Sequence, residues 1–268
     1  MVVAPITLTT LSLATLIVAV VPIVLFRRLR KPLGLERRDA IAGIAVFALF
    51  AMVIERALNG YLLVRNDASA AWLSNPVAFV IYGALIAGVC EEVGRFIAMR
   101  LLLKRAREKS LPAANTDSTA LAYGLGHGGA EAWLVGVMVQ VQWIVFAVFD
   151  NLGELDAHLA NVPADAMMRI HVILASLSPV SAGIFALERL AALVFQIALS
   201  LLMWRGLRAG WRGILPLAIV AHALIDVPAA LFQAGVLPLV AVDGFYVLVA
   251  VGMGGMLVKL FRPAARPV

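Results

Sequence analysis

The sequence predicts an all-α, polytopic transmembrane helix bundle, and three observations carry that reading. Hydrophobic residues make up 63% of the chain and charged residues 14%, against roughly a quarter charged in soluble domains. The mean hydropathy of +0.97 is far above the soluble range. Several apolar runs exceed the roughly 18–20 residues that a helix needs to cross a bilayer. By length alone, 268 residues could hold one or two soluble domains. The runs instead predict a single integral membrane domain over 1–268, with a core at about 75–233 and accessory helices at 5–64 and 238–260.

Seven segments qualify as spans: about 5–26, 40–64, 75–103, 119–149, 179–204, 213–232 and 238–260. The first has no basic stretch ahead of it and is followed by its charges, so it reads as a retained helix rather than a secretory signal. Arg27, Arg28, Arg30, Lys31, Arg37 and Arg38 follow this first span. Lys104, Arg105, Arg107 and Lys109 follow the third, and Arg205, Arg208 and Arg212 the fifth. Lys259, Arg262 and Arg266 close the chain, whereas the loops near 66–74, 151–165 and 233–237 carry almost no basic residues. The positive-inside rule then places the N-terminus outside and the C-terminus in the cytoplasm, in a multi-pass protein of the plasma membrane. The Ala-, Gly- and Arg-rich character suits a prokaryote.

The segment 166–177 is apolar but short, contains Arg169 and His171, and precedes Pro179. An eighth span there would reverse every later loop, so a re-entrant or interfacial helix on the outer side is expected. The net charge of +6 is not a nucleic-acid footprint, because nearly all of it sits at span ends; the partner it implies is the lipid bilayer. The single cysteine, Cys90, excludes an intrachain disulfide and a Cys-based zinc site. It is expected as a small buried hydrophobe.

The spans nevertheless contain many ionisable groups: Glu55 and Arg56, Glu91, Glu92 and Arg95, His127 and Glu131, Glu188 and Arg189, and His222 and Asp226. Each buried charge costs at least about 2.5–3.5 kcal/mol on insertion scales, so these groups should face the bundle interior and satisfy one another. A helix rises about 1.5 Å per residue. Glu91, Glu92, His127, Glu131, Gln196, His222 and Asp226, from four helices, then fall in one layer roughly 12–20 Å from the cytoplasmic surface. His127–Glu131, His222–Asp226 and Glu91–Arg95 are i, i+4 pairs, and Glu92–Arg95 is i, i+3, so each pair shares a helix face. Small residues from Gly124 to Ala130 allow neighbouring helices to approach closely.

A carboxylate can act as general base, imidazoles can hold a metal or donate protons, and an arginine can orient a carboxylate. Plainer readings stand beside these. Glu91 and Glu92 could form a structural ion pair with Arg95, His127 and Glu131 a helix-packing pair, and His222 and Asp226 one interhelical hydrogen bond. Glu188–Arg189 and Glu55–Arg56 read as structural braces, and His158 and His171 as surface groups.

The run Glu91–Glu92–Val93–Gly94–Arg95, the glycine-rich stretch through His127 to Glu131, the Glu188–Arg189 pair, and His222 followed by Asp226 resemble the YhfC family of intramembrane metalloproteases. That family groups with PrsW and the CAAX prenyl proteases in one superfamily. The resemblance covers about 91–226, with four motifs in order on four hydrophobic helices. It implies a proteolytic site acting on a membrane-embedded peptide or protein substrate. In that site Glu91 would be the general base for a water, with Glu92 and Arg95 as its support, and Glu131 and His222 as metal or water ligands. The water would be bound to Zn2+ or activated by glutamate alone. The sequence departs from the family pattern at Gln196, where a histidine is expected eight residues after Glu188. Gln is a poor transition-metal ligand beside His, and His127, at nearly the same depth, could supply the missing imidazole.

Three functions follow from these residues: an intramembrane endopeptidase, an inactive relative serving as membrane scaffold or chaperone, and a proton-coupled transporter. Gln196 favours the second. The third suffers from the absence of an inverted repeat or paired broken helices in the sequence.

Overall fold

The computed structural model describes residues 2–261. Among them seven helices are long and apolar enough to cross a membrane. These are α1 (Pro5–Arg30), α2 (Arg37–Arg65), α3 (Pro76–Glu108), α4 (Ser118–Leu152), α5 (Pro179–Arg208), α6 (Ile214–Gln233) and α7 (Leu239–Phe261). All seven expected spans are present; Arg262 and Arg266 lie outside the described residues. Several helices run past the apolar windows at their basic ends, α1 to Arg30, α3 to Glu108 and α5 to Arg208. Arg and Lys are good helix formers whose apolar stems lie along the helix while the charge reaches water. Hydropathy marks the hydrocarbon layer, not the end of the backbone hydrogen-bond ladder.

Helix starts follow local chemistry. Asn75 accepts hydrogen bonds from the Val77 and Ala78 amides, with Pro76 opening α3. Ser178 and Ser181 cap each other's backbone ahead of Pro179, a pairing that satisfies amides left without intrahelical partners.

The short segment before Pro179 forms a 13-residue helix, Ala164–Ser176, too short to span. Its Leu174 is buried with Val3, Ala147 and Leu155, at the end where the chain begins. Asn151 ties that end together, accepting from the Val3 amide at 2.7 Å and donating to the Val3 carbonyl at 2.9 Å. At the other end Asp117, just before α4, pairs with Arg205 (2.6 Å) and Arg208 (3.1 Å) of α5. The basic loops therefore share one end of the bundle, as the charge pattern predicts.

The centre is built by α2 to α6, with α4 packed between α2 and α5, and α3 against α6. Glycines set these distances. A Cβ on Gly126 would stand 2.0 Å from the Ala40 carbonyl oxygen of α2. One on Gly124 would stand 2.8 Å from Ile197 Cα of α5. Two sides of α4 thus meet neighbouring backbones almost directly. An apolar cluster including Met99, Leu103, Tyr123 and Trp204 fills the basic end, and the cluster around Leu174 the opposite one. A polar layer lies between them. α7 packs on α5 and α6 but buries only Val242 and Asp243.

Two spans are irregular. α2 widens into π turns at Phe50–Glu55 and Tyr61–Arg65, and α4 at Ala132–Val137. No sequence pattern marks them. Such turns often sit at functional sites, and here one ends on Glu55 while another begins just after Glu131.

Gly126→Ala should push α2 off α4 and cost about 1–3 kcal/mol of stability. Gly183→Ala, whose Cβ would meet open space, is the matched control and should cost nothing measurable. Heating in detergent with a thiol-reactive dye reads both, because the only cysteine, Cys90, is buried until the bundle opens.

Candidate active site

Glu91, Glu92 and Arg95 project from consecutive turns of α3 into the centre of the bundle, and all three are buried. Glu92 and Arg95 have no exposed surface. Arg95 Nε donates to both Glu92 oxygens at 3.1 and 3.0 Å. Its Nη1 donates to the Gln196 carbonyl at 3.1 Å and to the Ser200 hydroxyl, and its Nη2 donates to Gln196 Oε1. The guanidinium also lies 5.8 Å from the Tyr123 ring centre. One cation thereby fixes α3 against α5 and neutralises Glu92.

Glu91 is held from two sides. His127 Nε2 stands 2.9 Å from Glu91 Oε2, and Gln196 Nε2 donates to the same oxygen at 3.0 Å. Gln196 Nε2 also donates to Glu131 Oε2 at 2.9 Å. Its orientation is fixed by chemistry: Oε1 faces a guanidinium and Nε2 faces two carboxylates, so the reverse flip would break every contact. His127 is fully buried, stacked on Tyr123 with 5.7 Å between centroids and met edge-on by Phe47 at 5.2 Å. Its Nδ1 has no hydrogen-bond partner among the described residues.

His222 of α6 sits between carboxylates, with Nδ1 2.9 Å from Glu92 Oε1 and Nε2 3.5 Å from Asp226 Oδ2. α6 comes this close because α3 has Gly88 opposite; a Cβ there would lie 3.3 Å from His222 Cβ. Arg189 reaches Glu131 Oε1 at 3.5 Å.

These groups enclose a cavity of about 290 Å3 lined by Glu55, Glu91, Glu131, Gln196, His222 and Asp226. Bulk water occupies about 30 Å3 per molecule, so the cavity has room for several waters or a short stretch of peptide.

The structure thus joins eight of the candidates (Glu91, Glu92, Arg95, His127, Glu131, Gln196, His222 and Asp226) in one network, with Arg189 attached through Glu131. Glu188, its neighbour in sequence, does not line the cavity. Two participants escape sequence reasoning. Glu55, read there as half of a brace with Arg56, lines the cavity and is met by Asn59 Nδ2 at 3.4 Å. Ser200 receives Arg95; its i, i+4 spacing from Gln196 was the available signal.

Five carboxyl groups (Glu55, Glu91, Glu92, Glu131 and Asp226) face two guanidiniums, Arg95 and Arg189. In a poorly solvated interior such an excess calls for protons or a further cation. The donor chemistry suits Zn2+, which accepts imidazole nitrogen and carboxylate oxygen together. His222 Nε2 and the carboxylates of Glu91, Glu131 and Asp226 border one cavity. His222 Nε2 is turned to Asp226, and the Glu91 and Glu131 carboxylates to the Gln196 amide. Among the described residues no three His, Cys, Asp or Glu side chains converge as a ligand set. His127 faces Glu91 and lies outside the cavity lining.

Comparison with known proteins gives two findings. A family profile described as YhfC intramembrane metalloprotease matches residues 17–247. A protein of Bacillus subtilis (strain 168) named "Uncharacterized membrane protein YhfC" is 31% identical over 228 residues, 85% of each chain. No solved structure matches.

Arg95→Met leaves Glu92 buried without its cation and should destabilise the bundle by about 3–5 kcal/mol. Adding Glu92→Gln removes the stranded charge and should restore a substantial part of the loss. The Cys90 melting assay reads both, and strict additivity of the two substitutions would contradict the coupling.

Proposed function

The chain belongs to the YhfC intramembrane metalloprotease family, and from that premise we propose that it is an endopeptidase cleaving membrane-embedded or membrane-anchored peptides. One observation carries the reading. Glu91, a buried carboxylate held by His127 and Gln196, opens onto a cavity shared with Glu131, His222 and Asp226.

Peptide hydrolysis needs a base for the attacking water, positive charge or donors for the developing oxyanion, and a proton for the departing amine. In the proposed assignment Glu91 is the base, and His127 keeps its carboxylate oriented. Glu92 and Arg95 are positioning residues: they hold His222 and the backbone of α5. Arg189, paired with Glu131 of the cavity wall, is assigned the positive charge for the oxyanion. His222, between Glu92 and Asp226, is placed to pass a proton to the amine nitrogen. If the site takes Zn2+, His222 Nε2, Glu131 and Asp226 are the residues that would hold it, and Glu91 in place of His222 would carry the proton to the amine. Bound there, the ion would polarise the scissile carbonyl and acidify a water.

The basic end of the bundle is assigned to the cytoplasm of the plasma membrane by the positive-inside rule, which puts cleavage nearer that leaflet. A second reading, a non-catalytic relative that keeps the network for structure, draws on Gln196. One amide there occupies both Glu91 and Glu131.

The test is to express wild type and Glu91→Gln in matched cells and to compare new peptide N-termini in their membranes. The endopeptidase reading expects a set of termini present with wild type and reduced at least about 100-fold with the variant, the scale of a lost general base. Identical sets, with both proteins folded by the Cys90 assay, would leave the scaffold reading standing.

A further inference from the structure

A second cavity lies on the outside of the bundle, where α1, α2 and α4 diverge toward the basic end. It measures about 550 Å3, within the usual range for a small-ligand pocket. Its floor is the glycine face of α4: Gly126 against Ala40, and Gly129, whose Cβ would lie 3.3 Å from Pro22 Cβ. Its walls include Ile23, Ile44 and Trp133, all exposed on the span surfaces. Trp133 is fixed there by its indole N–H, which donates to the Ala19 carbonyl at 3.1 Å. The groove runs from Pro22 to Arg30, about 12 Å along the helix.

At its open end stand Arg27, Arg30 and Arg37. All three are exposed, and none has a hydrogen-bond or ion-pair partner among the described residues. The neighbouring Arg38 differs, being paired with Asp39 at 3.1 Å. Among the described residues no acidic side chain lines the groove. An apolar shaft ending in three unpaired guanidiniums at the membrane–water boundary has the form of an amphiphile with a negative head.

We propose that this groove binds an anionic phospholipid, with its phosphate among Arg27, Arg30 and Arg37 and an acyl chain along Ile23, Ile44 and Trp133. Guanidinium forks match phosphate oxygens geometrically, and basic pockets between spanning helices recur as headgroup sites. Charge decides against the other occupants. A transmembrane peptide, or a second copy of this chain in the same orientation, brings its own basic residues to this end, where the three arginines repel them. The inference does not depend on the catalytic assignment.

The test uses the full chain, delipidated in detergent, titrated with brominated phosphatidylglycerol or brominated phosphatidylcholine while tryptophan fluorescence is recorded. The difference between wild type and Trp133→Phe isolates the groove signal. Three arginines at about 1 kcal/mol each predict saturable quenching by phosphatidylglycerol at roughly 100-fold lower concentration than by phosphatidylcholine. The Arg27→Gln/Arg30→Gln/Arg37→Gln variant should abolish that preference and the corresponding triple Lys variant should retain it. The exposed positions leave folding intact, which the Cys90 assay checks. Equal quenching by the two lipids overturns the proposal, as does a preference that survives the Gln variant. So does inorganic phosphate that protects against unfolding as well as phosphatidylglycerol does, which would reassign the arginines to a soluble anion. A wild-type dimer that excludes both lipids from Trp133 would reassign the groove to a second copy.

Discussion

The structure depends on one constraint: charge placed inside an apolar slab must be neutralised and hydrogen-bonded by other protein groups. Arg95 is where that constraint is met. With no exposed surface, it can persist only because Glu92, Gln196 and Ser200 absorb its donors. Once that cation is fixed, the rest of the layer has little freedom. Glu92, oriented by Arg95, receives His222. Gln196, oriented by Arg95, delivers its amide to Glu91 and Glu131. Helices α3, α4, α5 and α6 are therefore locked by a polar core, whereas apolar packing in a bilayer gives little preference for one helix neighbour over lipid.

Gln196 explains how the network closes without the histidine expected there. A neutral imidazole offers one donor and one acceptor; a carboxamide offers two donors and an acceptor with two lone pairs. Only the amide can serve one guanidinium and two carboxylates simultaneously. Gln196, where the resemblance leads one to expect a histidine, thereby forms a bridge between Glu91 and Glu131. It also leaves His127 to Glu91, so the glycine-rich motif supplies the imidazole that orients the carboxylate.

Much of this was legible in the sequence because the cost of burying charge is large and the spacing rules of helices are strict. The seven spans, the grouping of basic loops at one end, and the convergence of Glu91, His127, Gln196 and His222 all follow from those two facts. What escaped depends on backbone irregularity and on distance. Glu55 looked like a brace because a regular helix was assumed, and the π turn at Phe50–Glu55 has no signature in residue types. Arg189 and Glu188 looked like one unit because they are adjacent. Adjacent residues on a helix point about 100° apart, and only Arg189 reaches Glu131.

The glycine-rich stretch of α4 serves both helix approach and the outer groove, and Gly126 takes part in each. Gly124 and Gly126 bring α5 and α2 to backbone contact, which is what allows His127 and Glu131 to reach side chains on α3 and α5. Gly126 and Gly129 also floor the outer groove. The wall between the polar cavity and the groove is therefore a single helix, whose hydrogen-bond ladder changes register at Ala132–Val137. Glu131 stands just before that change and Trp133 within it, one bordering the cavity and the other the groove. Close-packed interiors yield by discrete rearrangement rather than smooth deformation. A π turn supplies such a discrete alternative, since removing its extra residue would rotate everything beyond it. Glu131 on the cavity and Trp133 on the groove are thus held by adjoining residues of one stretch of helix.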